Sequence, residues 1–453
     1  MRPVDTPDGA QAPTSPPPAS ALLDDLPPAL AAVVTSPGWE LLERLEAAPT
    51  LRDADRDLLS RQLRAGGIAP DTVSAVLTQL DLRAHAEAKF DRFARQMIFT
   101  RDGLEQATRL RVAALHAQRF RNGGATHVAD LGCGIGGDAL AMAGLGLKVT
   151  AFDRDPSAAA CAAVNLRAFD DADVRLGDVT ELDPAELAAD DDVDAIFADP
   201  ARRTGAARGG RRVLSPDQWS PPLATVIAWR DAVPRLGVKV APGIAHEDLP
   251  ADFHAQWVSV DGALVEASLW SPPLAPEGPG RSALVLTADG TAHTLTDPDV
   301  DAANAPVRQA SVSQPGTHLL EPDPAVIRAG LIAHLAEELQ AHLISPDIAY
   351  LTCDAAPDST PGSATSPFFT RFDVIDTVPM RAKQIAAALR SHDLAATEVK
   401  KRGADIDPAA LLKSLPRDGA HPAVVFATRV DGRHRAIIAT RHTAAAPEGA
   451  PTH

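Results

Sequence analysis

Over residues 21–120 the apolar positions recur at intervals of three and four, the spacing that gathers them on one face of a helix. Leu41, Leu42 and Leu45 form one such stripe, and Leu58, Leu59 and Leu63 a second. Asp71 stands where an N-cap would open a helix through Leu80, and helical patterning continues from Ala86 to Ile98 and from Leu104 to Phe120. The polar residues of 99–108 join this helical region to the next part of the chain; capping and ligand-facing roles are both open to them. From about residue 126 the period changes. Short apolar runs at 128–131, 148–153, 173–178, 194–199 and 238–243 alternate with helical stretches, the signature of βαβ units around a parallel sheet. Residues 256–262 and 263–270 read as a hairpin joined at Asp261-Gly262, and 282–287 as one more strand. Asp323 followed by Pro324 predicts a capped helix start. The Ser, Thr, Pro and Gly of 354–367 read as a loop or hinge. Beyond it a small α/β unit is expected, with strands at 371–375, 396–400, 423–429 and 435–440 and helices at 380–389 and 408–415.

The chain therefore divides into a tail over 1–20, a helical domain over 21–120, a sheet domain over 121–290, a connecting segment with a docking helix and hinge over 291–367, a small α/β domain over 368–443 and a tail over 444–453. At 453 residues it is long enough for two or three domains with their own cores. No run of 18 apolar residues occurs, which argues against a membrane-spanning helix, and the N-terminus lacks the apolar region of a secretory signal. Cys133, Cys161 and Cys353 have neither zinc nor disulfide spacing, and the histidines show no ligand spacing. A cytoplasmic protein without a metal is expected.

The net charge of −17 argues against a general affinity for polyanions but leaves room for local basic tracks. Two exist. Arg202, Arg203, Arg208, Arg211 and Arg212 are interleaved with glycine, and Lys400, Lys401 and Arg402 lie in the C-terminal part. Arginine suits bidentate phosphate contacts, whereas a run such as 400–402 is equally the make-up of a solvated face.

The candidate chemistry centres on Val128-Ala-Asp130-Leu-Gly132-Cys-Gly134-Ile-Gly136-Gly137-Asp138. An apolar strand ends in an acid, passes a glycine turn and opens a helix, a loop over which a nucleotide can lie close to the backbone. Gly132, Gly134 and Gly137 satisfy the dinucleotide spacing, but a carboxylate two residues before the first glycine would repel a pyrophosphate and suits a cationic ligand. Asp153 ends the second strand about 20 residues on, where an acid takes ribose hydroxyls. Asp178 ends the third strand and can accept from an adenine amino group; Asp199-Pro200 ends the fourth. Each acid alone is an ordinary turn residue. Four at the carboxyl ends of successive strands mark the binding rim of a parallel sheet.

On these residues the chain resembles the class I S-adenosylmethionine-dependent methyltransferases over about 100–270. Asp130 to Gly136 correspond to the glycine loop, Asp153 and Asp178 to the ribose and adenine acids, and Asp199-Pro200-Ala201-Arg202 to the catalytic tetrad. The resemblance implies an α/β fold with a Rossmann-like sheet, S-adenosylmethionine as cofactor, Asp130, Gly132, Gly134, Gly136, Asp153 and Asp178 around it, and Asp199 with Pro200 at the acceptor. The loop ending and the fourth motif are similar to those of cap-type guanine-N2 RNA methyltransferases, from which Ala201 departs. Glu398 to Gly403, Asp407 to Lys413 and the two last strands resemble a THUMP-like domain, which implies RNA as substrate, with Arg202, Arg203, Arg208, Arg211, Arg212, Lys400 and Lys401 as its contacts. Rival expectations are a protein or small-molecule methyltransferase, an RNA-binding protein without activity, and a nicotinamide oxidoreductase that would leave Asp130 and Asp199-Pro200 unexplained.

Overall fold

The computed structural model describes residues 26–34, 37–48, 55–201, 215–355 and 366–442. They divide into two compact units, one running to Val240 and including Ser268–Gly278, the other formed by Ala241–Ala267 and the chain from Pro279 onward.

In the first unit the helices Pro28–Val34, Gly38–Glu46, Arg56–Ala65 and Pro70–Phe90 gather Trp39, Leu42, Val73, Val76 and Phe90 into a cluster that also takes in Ile135, Cys161 and Val164. The expected stripes at Leu41–Leu45 and at Leu59 are buried, while Leu58 faces out. Three helix boundaries differ from the pattern. Pro70 occupies the first helical position, with its ring pre-set for the turn, so Asp71 lies in the first turn and Ala69 is the cap residue. That helix then runs unbroken to Phe90, where Asp91 at φ 49° ends it, and residues Asp91–Gln96 form a 3₁₀ turn in place of a helix reaching Ile98. The expected helix from Leu104 to Phe120 is two, Arg101–Gln106 and Leu110–Asn122. Thr100 caps the first of these, its Oγ1 accepting from the Gly103 amide at 3.0 Å.

Five parallel strands come next: β1 (His127–Leu131), β2 (Lys148–Asp153), β3 (Ala172–Leu176), β4 (Ala195–Ala198) and β5 (Arg235–Val240). Their order is β3-β2-β1-β4-β5. β1 and β4 are buried at every position, as expected of central parallel strands covered on both faces. The order reverses between β1 and β4, so the crevice of the sheet opens at the carboxyl ends of those two strands.

β6 (His254–Val260) and β7 (Ala263–Trp270) form the expected hairpin, with Asp261 and Gly262 both at positive φ as its tight turn requires. Ser268–Trp270 of β7 belong to the first unit and Ala263–Ala267 to the second. β8 (Gly280–Leu286) runs parallel to β6, and β9 (Ala292–Thr296) antiparallel to β8.

The rest of the second unit is a seven-stranded sheet. β10 (His318–Pro322), β11 (His342–Ser345), β12 (Ile348–Cys353), β13 (Phe369–Pro379), β14 (Leu394–Lys401), β15 (His421–Val430) and β16 (Arg433–Arg441) take the order β11-β12-β10-β13-β16-β15-β14. Helix Ala382–Ser391 packs Ile385 and Leu389 against Val425 and Ile438, while Tyr350, Phe372 and Phe426 fill the core on the other side. The elements expected over 371–440 are all found. The stretch 291–367, expected to be connecting chain with one docking helix, holds that helix at Pro324–Arg328 under its Asp323 cap, but also a second helix, Ile332–Glu338, and the four strands β9 to β12 among its described residues. β10 pairs with β13, His318 opposite Asp373, so the sheet begins well before 368. These strands have four to six residues, too short for periodicity alone to separate from loop.

Candidate functional site

The site grows from the end of β1. Gly132 takes φ +89°, and a Cβ there would lie 2.9 Å from the Asp199 carbonyl oxygen, so only glycine lets β1 turn past the end of β4. At Gly134, φ +57°, a Cβ would meet no atom within 4 Å: the loop is open on the side where a ligand would lie. Gly136, left-handed at φ 80°, leads into the helix Gly137–Gly144. The Gly134 amide donates to Asp153 Oδ2 at 2.8 Å and the Asp155 amide to Oδ1 at 2.9 Å. Two backbone donors thus fix the plane of this carboxylate while its remaining lone pairs stay available for hydroxyl groups. Burial raises the Asp153 pKa, and the two amides oppose that rise.

Asp178 closes β3 in a turn in which Oδ1 accepts from the Thr180 amide at 2.9 Å and from its hydroxyl at 2.7 Å. Oδ2 lies 3.7 Å from the Arg154 guanidinium, the residue next to Asp153. The Thr180 bonds, with Arg154, hold the Asp178 carboxyl below the usual range. β2 and β3 being neighbours, these two acids share one edge of the rim.

Asp199 comes directly after β4, its amide bonded to the Leu131 carbonyl at 3.1 Å. Its Oδ2 accepts from Lys239 Nζ at 2.8 Å, and the same ammonium donates to Thr108 Oγ1 at 2.9 Å. Thr108 in turn donates to Asp138 Oδ2 at 2.7 Å, and His116 Nδ1 bonds Asp138 Oδ1 at 2.9 Å. The break between Arg101–Gln106 and Leu110–Asn122 places Thr108 in this chain of contacts, while Thr100 takes the capping role open to the junction segment. Lys89 secures that segment by donating to the carbonyls of Leu104, Glu105 and Ala107; burial, with Arg109 and Lys239 nearby, brings its pKa down to about 8.

Lys239, Asp138 and His116 were not visible as site residues in the sequence, and Thr108 entered only as one of the polar residues of 99–108. The one signal was a lysine inside the apolar run of β5, where it is 6% exposed and an unpaired ammonium would be costly. Burial pushes the Asp138 pKa up, but the His116 bond and charge, Lys239 and Thr108 outweigh it and leave the carboxyl below its ordinary value. Asp130 is different. It is 1% exposed, and its Oδ2 has no hydrogen-bond partner among the described residues. Burial, reinforced by the Asp138 and Asp199 charges, raises its pKa well above the ordinary carboxylate range.

Pro200 is buried beside Asp199, and Ala201 exchanges two backbone bonds with Ser220, at 2.9 and 3.0 Å. Arg202, Arg203, Arg208, Arg211 and Arg212 lie outside the described residues. In the second unit Lys400 is bonded to Glu321 and lies 5.7 Å over the Phe372 ring, while Lys401 donates to the Ile406 carbonyl at 2.9 Å. Among the described residues no helix is long and apolar enough to cross a membrane.

A buried carboxylate with a bare oxygen, a second carboxylate with its plane fixed and an open glycine turn fit a ligand that carries a cation and hydroxyl groups. The sequence profile of the methyltransferase small domain matches residues 90–211, and that of the THUMP domain-like family matches 369–441. An uncharacterized S-adenosylmethionine-dependent methyltransferase, recorded in two strains of Mycobacterium tuberculosis, is 32% identical over 342 residues, covering 74% of this chain and 85% of its own length. The crystal structure of a protein assigned as a methyltransferase from Porphyromonas gingivalis has a TM-score of 0.67 at 18% identity, covering 89% of this chain and 98% of that one, and shows the same fold. S-adenosylmethionine is therefore the cofactor, and the chain belongs to the S-adenosylmethionine-dependent methyltransferases.

Proposed function

We propose that this methyltransferase acts on an amine of a base in RNA. The observation that carries the proposal is Asp199-Pro200 at the strand-order reversal, against the glycine loop, with one Asp199 oxygen held by a buried lysine. In this assignment Asp130 and the turn at Gly132, Gly134 and Gly136 take the amino-acid part of the cofactor, Asp153 the ribose and Asp178, through Oδ2, the adenine side. The bound cofactor supplies a methyl group already activated by a sulfonium, so the chain has mainly to orient the acceptor. Asp199 Oδ1 and the Pro200 carbonyl accept from the amine hydrogens, which aims the nitrogen lone pair and stabilises the positive charge it acquires. Lys239 holds the Asp199 carboxylate in place by its other oxygen, and Thr108 holds Lys239. No strong base is needed, because the amine can lose its proton after the methyl group has moved.

Support for RNA comes from the THUMP domain-like match and from the arginines that come after Ala201. Arg202, Arg203, Arg208, Arg211, Arg212 and the lysines Lys400 and Lys401 are assigned to phosphate contacts. The likeness to cap-type enzymes makes the guanine 2-amino group the first acceptor to examine. Nucleoside analysis of RNA from cells with and without the protein tests the proposal: a methylated nucleoside should vanish with the protein. An unchanged nucleoside profile moves a protein or small-molecule acceptor ahead.

A further inference from the structure

Three carboxylates meet beneath the glycine loop, and the described residues give partners to two. Asp199 has Lys239 at 2.8 Å; Asp138 has His116 at 2.9 Å and Thr108 at 2.7 Å. Asp130 keeps Oδ2 bare at 1% exposure. The charged and titratable groups acting on it are Asp138 on the helix Gly137–Gly144, Asp199 after β4, Lys239 on β5, Asp153 at the end of β2, and Cys133 in the loop. Of these only Lys239 is cationic, and it is already bonded to Asp199 and Thr108. An isolated buried carboxylate in such surroundings either binds a proton or acquires a cation.

We infer that the cofactor's ammonium group and a proton compete for Asp130, so that cofactor binding expels one proton to solvent. The inference rests on the assignment of Asp130 to the amino-acid part of the cofactor. Below the Asp130 pKa of the ligand-free protein this carboxyl is a neutral acid. As the ammonium arrives the O–H bond breaks, the electron pair stays on the carboxylate as the ammonium's counter-ion, and the proton passes to the buffer. No other bond changes. The desolvation and the Asp138 and Asp199 charges that favour the neutral acid are the terms a ligand cation offsets. Cofactor affinity therefore rises with pH below the Asp130 pKa of the free protein, by up to about tenfold per pH unit for one proton, and levels off above it.

Calorimetry of the full chain with S-adenosylhomocysteine, which keeps the ammonium, tests this. Titrations from pH 5 to 8, each in two buffers of different ionisation enthalpy, give the number of protons released. The wild type should release up to one proton in part of that range, and Asp130→Asn should bind more weakly and release none. Asp153→Ala should bind more weakly yet still release the proton, and 5′-methylthioadenosine, which lacks the ammonium, should bind without releasing one. Absence of proton release by the wild type throughout, or equal release by Asp130→Asn, overturns the inference while leaving Asp130 in the cofactor site if its variant is weakened. Undiminished affinity of Asp130→Asn removes the residue from that site and the underlying assignment with it.

Discussion

A buried acid without a partner costs a protein stability, and Asp130 shows the direction. Its folded-state pKa is raised, chiefly by burial, above the value near 3.9 of an unfolded chain. Between those two values the folded state holds more protons than the unfolded state, so stability falls as pH rises through that window. Asp130→Asn removes the titration. The ligand-free variant should melt above the wild type at pH 8, with the advantage shrinking toward pH 4, as scanning calorimetry can follow. A difference independent of pH would contradict the account. Asp130, Asp153, Asp178 and Asp199 were legible as candidates because each ends an apolar run with a turn behind it. Asp138 and His116 were not. Their pairing, 22 residues apart, is made by packing of Leu110–Asn122 against Gly137–Gly144, and no spacing rule announces it.

Single elements hold the site together. β1 and β4 deliver Asp130 and Asp199, β5 delivers the lysine that neutralises Asp199, and the interruption before Leu110–Asn122 delivers Thr108. The strands were readable because buried parallel strands are nearly continuous apolar runs. The interruption was not, because the apolar pattern carries across it: Leu104, Val112 and Phe120 are all buried. Lys239→Met keeps the aliphatic stem but strips the counter-ion from Asp199 and the donor from Thr108. Removing one member of a buried pair costs about 3–5 kcal/mol, and the lower end applies here because the Asp199 side chain is 28% exposed. Urea unfolding should show a loss of about 3 kcal/mol. A change within about 0.5 kcal/mol, the range of ordinary surface substitutions, would mean the contact holds nothing in place.

For the molecule as a whole, a net charge of −17 means that the proposed RNA substrate would have to be held by local tracks. Arg208, Arg211 and Arg212 changed together to alanine should lower the salt dependence of single-stranded RNA binding by about 0.7 of logarithmic slope per lost phosphate contact, with S-adenosylhomocysteine affinity unchanged. An unaltered slope in a filter-binding series would take these arginines out of RNA recognition. Point changes are the right instrument in the second unit as well. Cutting at 368 would remove β13, which pairs with β10, and leave a sheet edge open. The C-terminal α/β unit was legible element by element, but where its sheet begins was not, because β10 finds its partner some 50 residues downstream.

The central claim is methyl transfer to RNA with Asp199 at the acceptor. Its most direct test gives wild type and Asp199→Ala radiolabelled S-adenosylmethionine and total RNA from cells lacking the protein, with cofactor binding measured alongside. The account predicts label in RNA nucleosides with the wild type, and with the variant intact cofactor binding but transfer lowered about a hundredfold or more, the scale on which removing one transition-state hydrogen-bond partner acts. A wild type that binds the cofactor yet leaves the RNA unlabelled, or a variant with full transfer, would contradict it.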